Sequence, residues 1–163
     1  SFAKAALRPS DRHEAGANKI NQYIESGFFA GGDKSVSSAR LLDIRRAKSN
    51  EGFERIVFDL ASLEGAADEN SNVPYFQVQP AFKEGRIVVS LWSDVAYDFD
   101  AVRIRKSFAK SEHIKMINII PRLEDGLTII EFMVHPEALE KGKSLKLEAF
   151  RLIKPSRIIL DLM

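Results

Sequence analysis

The sequence has no cysteine, a single tryptophan and three histidines among 163 residues. Without cysteine there is no disulfide framework, no thiolate zinc site and no thiol nucleophile, and either redox compartment is open to the chain. It also lacks charge of one sign. Lys and Arg number 24 against 23 Asp and Glu, a formal net charge of +1, so no global field supports non-specific nucleic-acid binding and none is expected. No apolar run approaches the roughly 20 residues that a membrane-spanning helix needs, which limits any expected membrane contact to a peripheral one. His13, His113 and His135 show no H-x-x-x-H or similar ligand spacing, and no G-x-S-x-G elbow surrounds Ser35, Ser37 or Ser38. The expectation is a chain without metal, cofactor or catalytic constellation. Ser1 in place of Met fits a processed start and a cloned start equally.

What is present is the balance of a folded globular protein, 45% hydrophobic and 29% charged. The length suits one domain, since domains are most often about 100–150 residues. Residues 1–38, with Pro9 and a Gly31-Gly32-Asp33-Lys34-Ser35 stretch, read as a helix and linker preceding the main domain at 39–163. Ile20, Tyr23, Ile24, Gly27 and Phe28 recur at helical spacing, which predicts a helix over about 17–29 whose stripe docks on that domain.

From Ala39 the pattern changes to short stretches rich in Ile, Val, Leu and Phe, several of them alternating, that predict strands near 40–47, 53–61, 75–82, 86–92, 112–120, 127–135, 145–153 and 157–162. In the second of them Ile56, Phe58 and Leu60 share one face, leaving Arg55, Val57 and Asp59 on a face expected to be largely wet. Residues 157–162 follow the same rule. Between Ser93 and Ser111, Asp100 suits the cap of a short helix carrying Ile104 and Phe108, although Val102, Ile104 and Lys106 also alternate.

The chain repeats itself. Gly52 to Leu60 (GFERIVFDL) aligns with Gly126 to Val134 (GLTIIEFMV) at an offset of 74, and Glu84 to Leu91 (EGRIVVSL) with Pro155 to Leu162 (PSRIILDL) at 71. A four-stranded half cannot bury its apolar face alone, so the expected fold is all-β: a two-layer sandwich of two similar four-stranded sheets with an N-terminal helix.

The opening pair, Ala39 to Arg45 with Gly52 to Leu60, resembles the start of the AMIN and AMIN-like domains of bacterial cell-envelope proteins. Pro74-Tyr75-Phe76-Gln77-Val78 is similar to their third strand, and Phe150 to Leu162 (FRLIKPSRIILDL) looks like their ending. The resemblance covers 39–163 and implies a duplicated sandwich, an extracytoplasmic (periplasmic) place, and a non-catalytic role in contacting peptidoglycan or an envelope protein complex. The chain departs from the pattern in an insertion at 67–72 and in the long 93–111 connection.

Arg55, Arg86 and Arg157 stand at strand starts on the outward faces and, with Lys146 and Arg151 nearby, would hold carboxylates bidentately if brought together. Pairing with Asp59, Asp161 or Glu148 across strands is the plainer alternative. Trp92, Tyr75, Tyr97 and Phe99 offer flat faces to sugar rings or to core packing. Asp94, Asp98 and Asp100 lack the turn glycine and closing Glu of a calcium loop, and Glu124-Asp125-Gly126 reads as a turn. A rival expectation is a carrier of an apolar ligand such as a lipid, with Phe53, Phe58, Phe76, Phe132 and Phe150 lining a cavity between the sheets.

Overall fold

The computed structural model describes residues 7–62 and 72–163, so the insertion at 67–72 lies, but for Asn72, outside the described residues. The chain runs α1 (Pro9–Asn18), β1 (Phe29–Gly31), β2 (Ser38–Lys48), β3 (Glu54–Ala61), β4 (Phe76–Ala81), β5 (Arg86–Leu91), β6 (Asp94–Tyr97), α2 (Ala101–Phe108), β7 (Ile114–Arg122), β8 (Leu127–Val134), β9 (Leu147–Leu152) and β10 (Arg157–Leu162). The eight expected strands are β2–β5 and β7–β10, each within two residues of its expected ends.

The strands form two sheets, with orders β6-β2-β3-β10-β9 and β1-β4-β5-β8-β7. Each therefore has five strands rather than four. The short β1 extends the second sheet beside β4, and β6 adds to the first in parallel with β2. Nor is each half a sheet of its own. The hairpin β2–β3 pairs with β10–β9 from the other half, and β4–β5 pairs with β8–β7. Consecutive hairpins of one half thus face each other across the core, and the halves interlock through β3–β10 and β5–β8.

Within this frame the registers correspond residue for residue. Ile44 lies opposite Phe58, and Ile117 opposite Phe132. Phe76 faces Leu91 as Leu147 faces Leu162, and Ile87 faces Phe132 as Ile158 faces Phe58. Even the irregularities agree: β2 slips between Leu41 and Asp43, and β7 between Ile114 and Met116, both 73 residues further on. Exchanging β2 with β7, β3 with β8, β4 with β9 and β5 with β10 turns one sheet's four main strands into the other's.

The alternating residues of both sheets meet between the layers. Phe58, Phe76 and Phe132 are buried in one continuous apolar cluster, and the equivalent rings of Phe58 and Phe132 touch edge to face at 5.7 Å. Such rings in contact fill the space that a carrier's cavity would occupy, and Phe150 points away from it to a second, smaller cluster.

The first helix is not where the periodicity places it. Pro9, whose fixed φ suits a first helical position, and Asp11, whose carboxylate accepts the Arg8 N–H at 2.7 Å, start it early. It stops before Asn21, which takes φ +57°, and the apolar stripe behind it becomes extended chain. Ile24 bridges Leu147, while Ile20 and Phe28 lie exposed. Gly32, at φ +86°, lies against Pro74, and a Cβ there would sit 2.1 Å from the Pro74 carbonyl oxygen. Only glycine lets β1 reach its sheet. The 93–111 connection holds both a strand and a helix: Asp100 accepts from the N–H groups of Val102 and Arg103, and Ile104 and Phe108 are buried.

Candidate functional site

The arginines expected to share one cationic patch fall on opposite outer faces of the sandwich. β3 and β10 both read Arg-x-x-x-Asp, and their antiparallel pairing sets Arg157 opposite Asp59 and Asp161 opposite Arg55. On the outside of the first sheet these four charges stand together. That face is not wet, because α1 and the chain following it cover it: Val57 and Ile159 pack with Ala15, and Arg45, Arg157, Asp161 and Asp11 are completely buried.

Burying so many charges requires a full set of partners, since an unpaired ion would cost several kcal/mol, roughly the Born penalty after relaxation. The cover supplies them. Arg45 donates to Asp59 through Nε at 2.6 Å and Nη2 at 2.8 Å, and to Asp11 through Nη1 at 2.6 Å. Arg157 donates to Asp11 at 2.9 Å and to Glu14. Arg55 grips Asp161 bidentately at 2.7 and 2.8 Å, and Lys19 joins Asp161 to Glu148 at 2.8 Å each. Burial pushes the Asp11 carboxyl up, but the bonds from Arg45, the Arg8 N–H and Arg157 outweigh it and hold the group at about 2. For Lys19 burial acts downward, and Asp161 and Glu148 reverse it to leave the ammonium above its usual value. Arg157 thus ties the sheet to its cover and Arg55 ties β3 to β10, so the donors of both, expected from sequence to meet a ligand, are buried and already point at carboxylates.

Among the described residues, the outer face of the second sheet has no such cover. Arg86 stands on it, its guanidinium shared by Glu84, at 2.8 and 3.0 Å, and by Glu131. At the far end of the same strand, six residues and about 20 Å away at about 3.3 Å per residue, Trp92 packs against Tyr75 with ring centroids 5.4 Å apart. The Lys34 ammonium lies 5.0 Å from the Tyr75 centroid, and Gln77 donates to the Tyr75 hydroxyl at 3.0 Å. Trp92 is 38% exposed. Tyr97 makes a separate pair with Phe99 at 5.8 Å, and burial holds its phenol above the usual value despite a bond from Thr128.

Of the six residues singled out from sequence, only Tyr75 and Trp92 come into mutual contact. Together with Lys34 and Gln77 they make a half-exposed aromatic platform of two rings inclined at 53°, with one cation and one amide beside it, where one ring face can stack a ligand ring and the polar groups bond its substituents. Gln77 was within reach of sequence reasoning, since it shares Tyr75's face two residues on. Lys34 was not: only the crossing of the Gly32 segment over Pro74 brings it there. Asp98 and Asp100 are spent separately, on Arg40 at 3.5 Å and on the α2 cap, and among the described residues no three His, Asp or Glu converge as metal ligands. Leu123–Asp125 forms the expected turn, with Gly126 at φ +58°.

Comparison of the chain with protein-family models, with curated proteins and with solved structures finds no match.

Proposed function

We propose that this chain is a non-catalytic binding module of the AMIN-like kind, built by internal duplication, that contacts peptidoglycan or an envelope protein complex outside the cytoplasm. The ordered motifs GFERIVFDL, PYFQV and FRLIKPSRIILDL support the resemblance, and the matching registers of the two halves support the duplication. The observation that carries the binding role is the Tyr75–Trp92 platform on the uncovered sheet, with Lys34 and Gln77 at its rim. A sugar ring stacks on such a surface, and the ammonium attracts the carboxylates of a wall polymer.

Co-sedimentation with purified peptidoglycan tests it. The wild type is expected to pellet with the polymer, and Trp92→Ala combined with Tyr75→Ala to weaken retention about tenfold, the loss of a central aromatic anchor. A wild type that stays in the supernatant would overturn the wall-binding role. Undiminished retention of the double variant would remove the platform from it.

A further inference from the structure

The outer strand of a sheet carries unpaired N–H and C=O groups, which template pairing with another strand unless something engages them. The four main strands of the first sheet end in β2 and β9, and those of the second in β7 and β4. Three of these ends are engaged. β1 lies along β4, and Ile24 exchanges both backbone bonds with Leu147 of β9, at 2.8 and 3.0 Å. β6 lies along the start of β2, whose later residues are tied to α2: Asp43 accepts from Arg103 at 2.7 Å, and Arg46 donates to the Ser107 carbonyl at 3.2 Å. Among the described residues β7 has no added strand, and α2 packs beside it without a backbone hydrogen bond to it.

The ladder defines which groups of β7 are free. Val134 donates to Gly85 on the β5 side and His135 to His113 on the β7 side, at 2.8 Å each, so bonding directions alternate along β8. Met133, Glu131 and Ile129 therefore bond toward β7, where Met116, Asn118 and Ile120 stand opposite them. The intervening Ile117 and Ile119 point their N–H and C=O groups away from the sheet. Their side chains pack on the core, while Met116 and Ile120 lie exposed on the outer face, on either side of Asn118. The open stretch is bounded. The register shift at Lys115 interrupts the strand before it, and Pro121, which has no N–H, ends the donors after it. Between these limits no charged side chain guards the edge.

We propose that β7 pairs with β7 of a second copy of this chain, antiparallel about a twofold axis at Asn118, joining the two second sheets into one continuous sheet. In that register Ile117 of one copy and Ile119 of the other exchange both backbone bonds, so every free N–H of the stretch finds a carbonyl. Met116 comes opposite Ile120 of the second copy, and Asn118 opposite Asn118, where the two amides bond each other. A twofold contact uses up the edge, so assembly stops at the dimer. So short an edge buries less than the roughly 1,200 Å² of stable complexes, which makes the dimer weak, with Kd on the order of 10–100 µM. Tyr75 and Trp92 lie at β4 and β5, beyond β8, so the pairing is independent of the wall-binding reading.

Sedimentation equilibrium of the full chain between about 1 and 500 µM tests it. The wild type is expected to pass from monomer to dimer, and hydrogen exchange at the Ile117 and Ile119 amides to slow in the concentrated sample only. Met116→Lys with Ile120→Lys sets like charges opposite each other across the axis and should raise Kd about tenfold or more. Met116→Lys with Ile120→Glu sets opposite charges there and should stay within about threefold of the wild type. Both positions are exposed, so circular dichroism is expected to be unchanged in either variant. A monomer throughout, growth past the dimer, no loss in the double-lysine variant, or equal loss in both variants would each overturn the pairing.

Discussion

The outer faces of the two sheets occupy equivalent places in the strand order and carry opposite chemistry. By the matched registers Arg45 corresponds to Asn118, Arg55 to Ile129, Asp59 to Met133, Asp161 to Ser90 and Glu148 to Gln77. Of the ionic set only Arg157 keeps its charge, as Arg86. The inward residues differ far less: Ile56 and Ile130, Phe58 and Phe132, and Ile87 and Ile158 are all completely buried. Core packing constrains volume and shape on the inside of both sheets, whereas the outside answers to whatever covers it. Under α1 each charge has a counter-charge of fixed geometry. On the open sheet water solvates the groups, so amides, hydroxyls and scattered apolar side chains suffice, with Met116 49% exposed and Ile120 40%.

The largest test of this contrast removes one charge from the covered face. Arg45→Ala leaves Asp11 and Asp59 buried with their main partner gone, so urea unfolding should report a loss of about 3–5 kcal/mol, whereas Asn118→Ala at the equivalent open position should stay within about 0.5 kcal/mol. Similar losses at both positions would break the comparison.

Acid should loosen the covered face selectively. The Asp11 carboxyl sits at about 2 in the folded chain, below its ordinary 3.8, so its contribution is complete above that ordinary value and disappears as pH falls through the folded one. The amount is on the order of 2 kcal/mol. Hydrogen exchange or near-ultraviolet circular dichroism between pH 5 and about 2 should show α1 separating from β3 and β10 before the β5–β8 pairing changes.

The smallest expected effect comes from rebuilding the missing pair on the open face. Ile129→Arg with Ser90→Asp recreates the Arg55–Asp161 geometry where no helix excludes water, and a double-mutant cycle should give a coupling of at most about 1 kcal/mol. A larger coupling would mean that strand geometry, and not the cover, sets the strength of the native pair.

Much of the frame is legible in the chain, and the reason is local. Alternation at period two fixes which residues of β3 and β10 face inward, and a one-residue slip would turn each entire set over. Positive-φ turns such as Gly126 and the Asp100 cap depend on neighbours a few residues away. The first helix was missed because its stripe of Ile20, Tyr23, Ile24 and Phe28 imitates a helical face, while the real start, Pro9 with Asp11, is a capping signal and not an apolar one. The aromatic platform was half legible: Tyr75 and Trp92 were visible as candidates, but not their contact, which joins the ends of adjacent strands.

The sequence by itself determined the all-β character, the eight main strands, the inward set of each and the repeat that relates the halves, because these follow from backbone periodicity and near-neighbour chemistry. Only the tertiary structure decided that hairpins of the two halves share sheets, that α1 closes one face and leaves its equivalent open, and that Arg55 and Arg157 are buried on carboxylates while Trp92, packed on Tyr75, stays 38% exposed. Those outcomes depend on which distant segments exclude water from a surface, and a strand's own pattern is the same whether its outer face meets a helix or solvent.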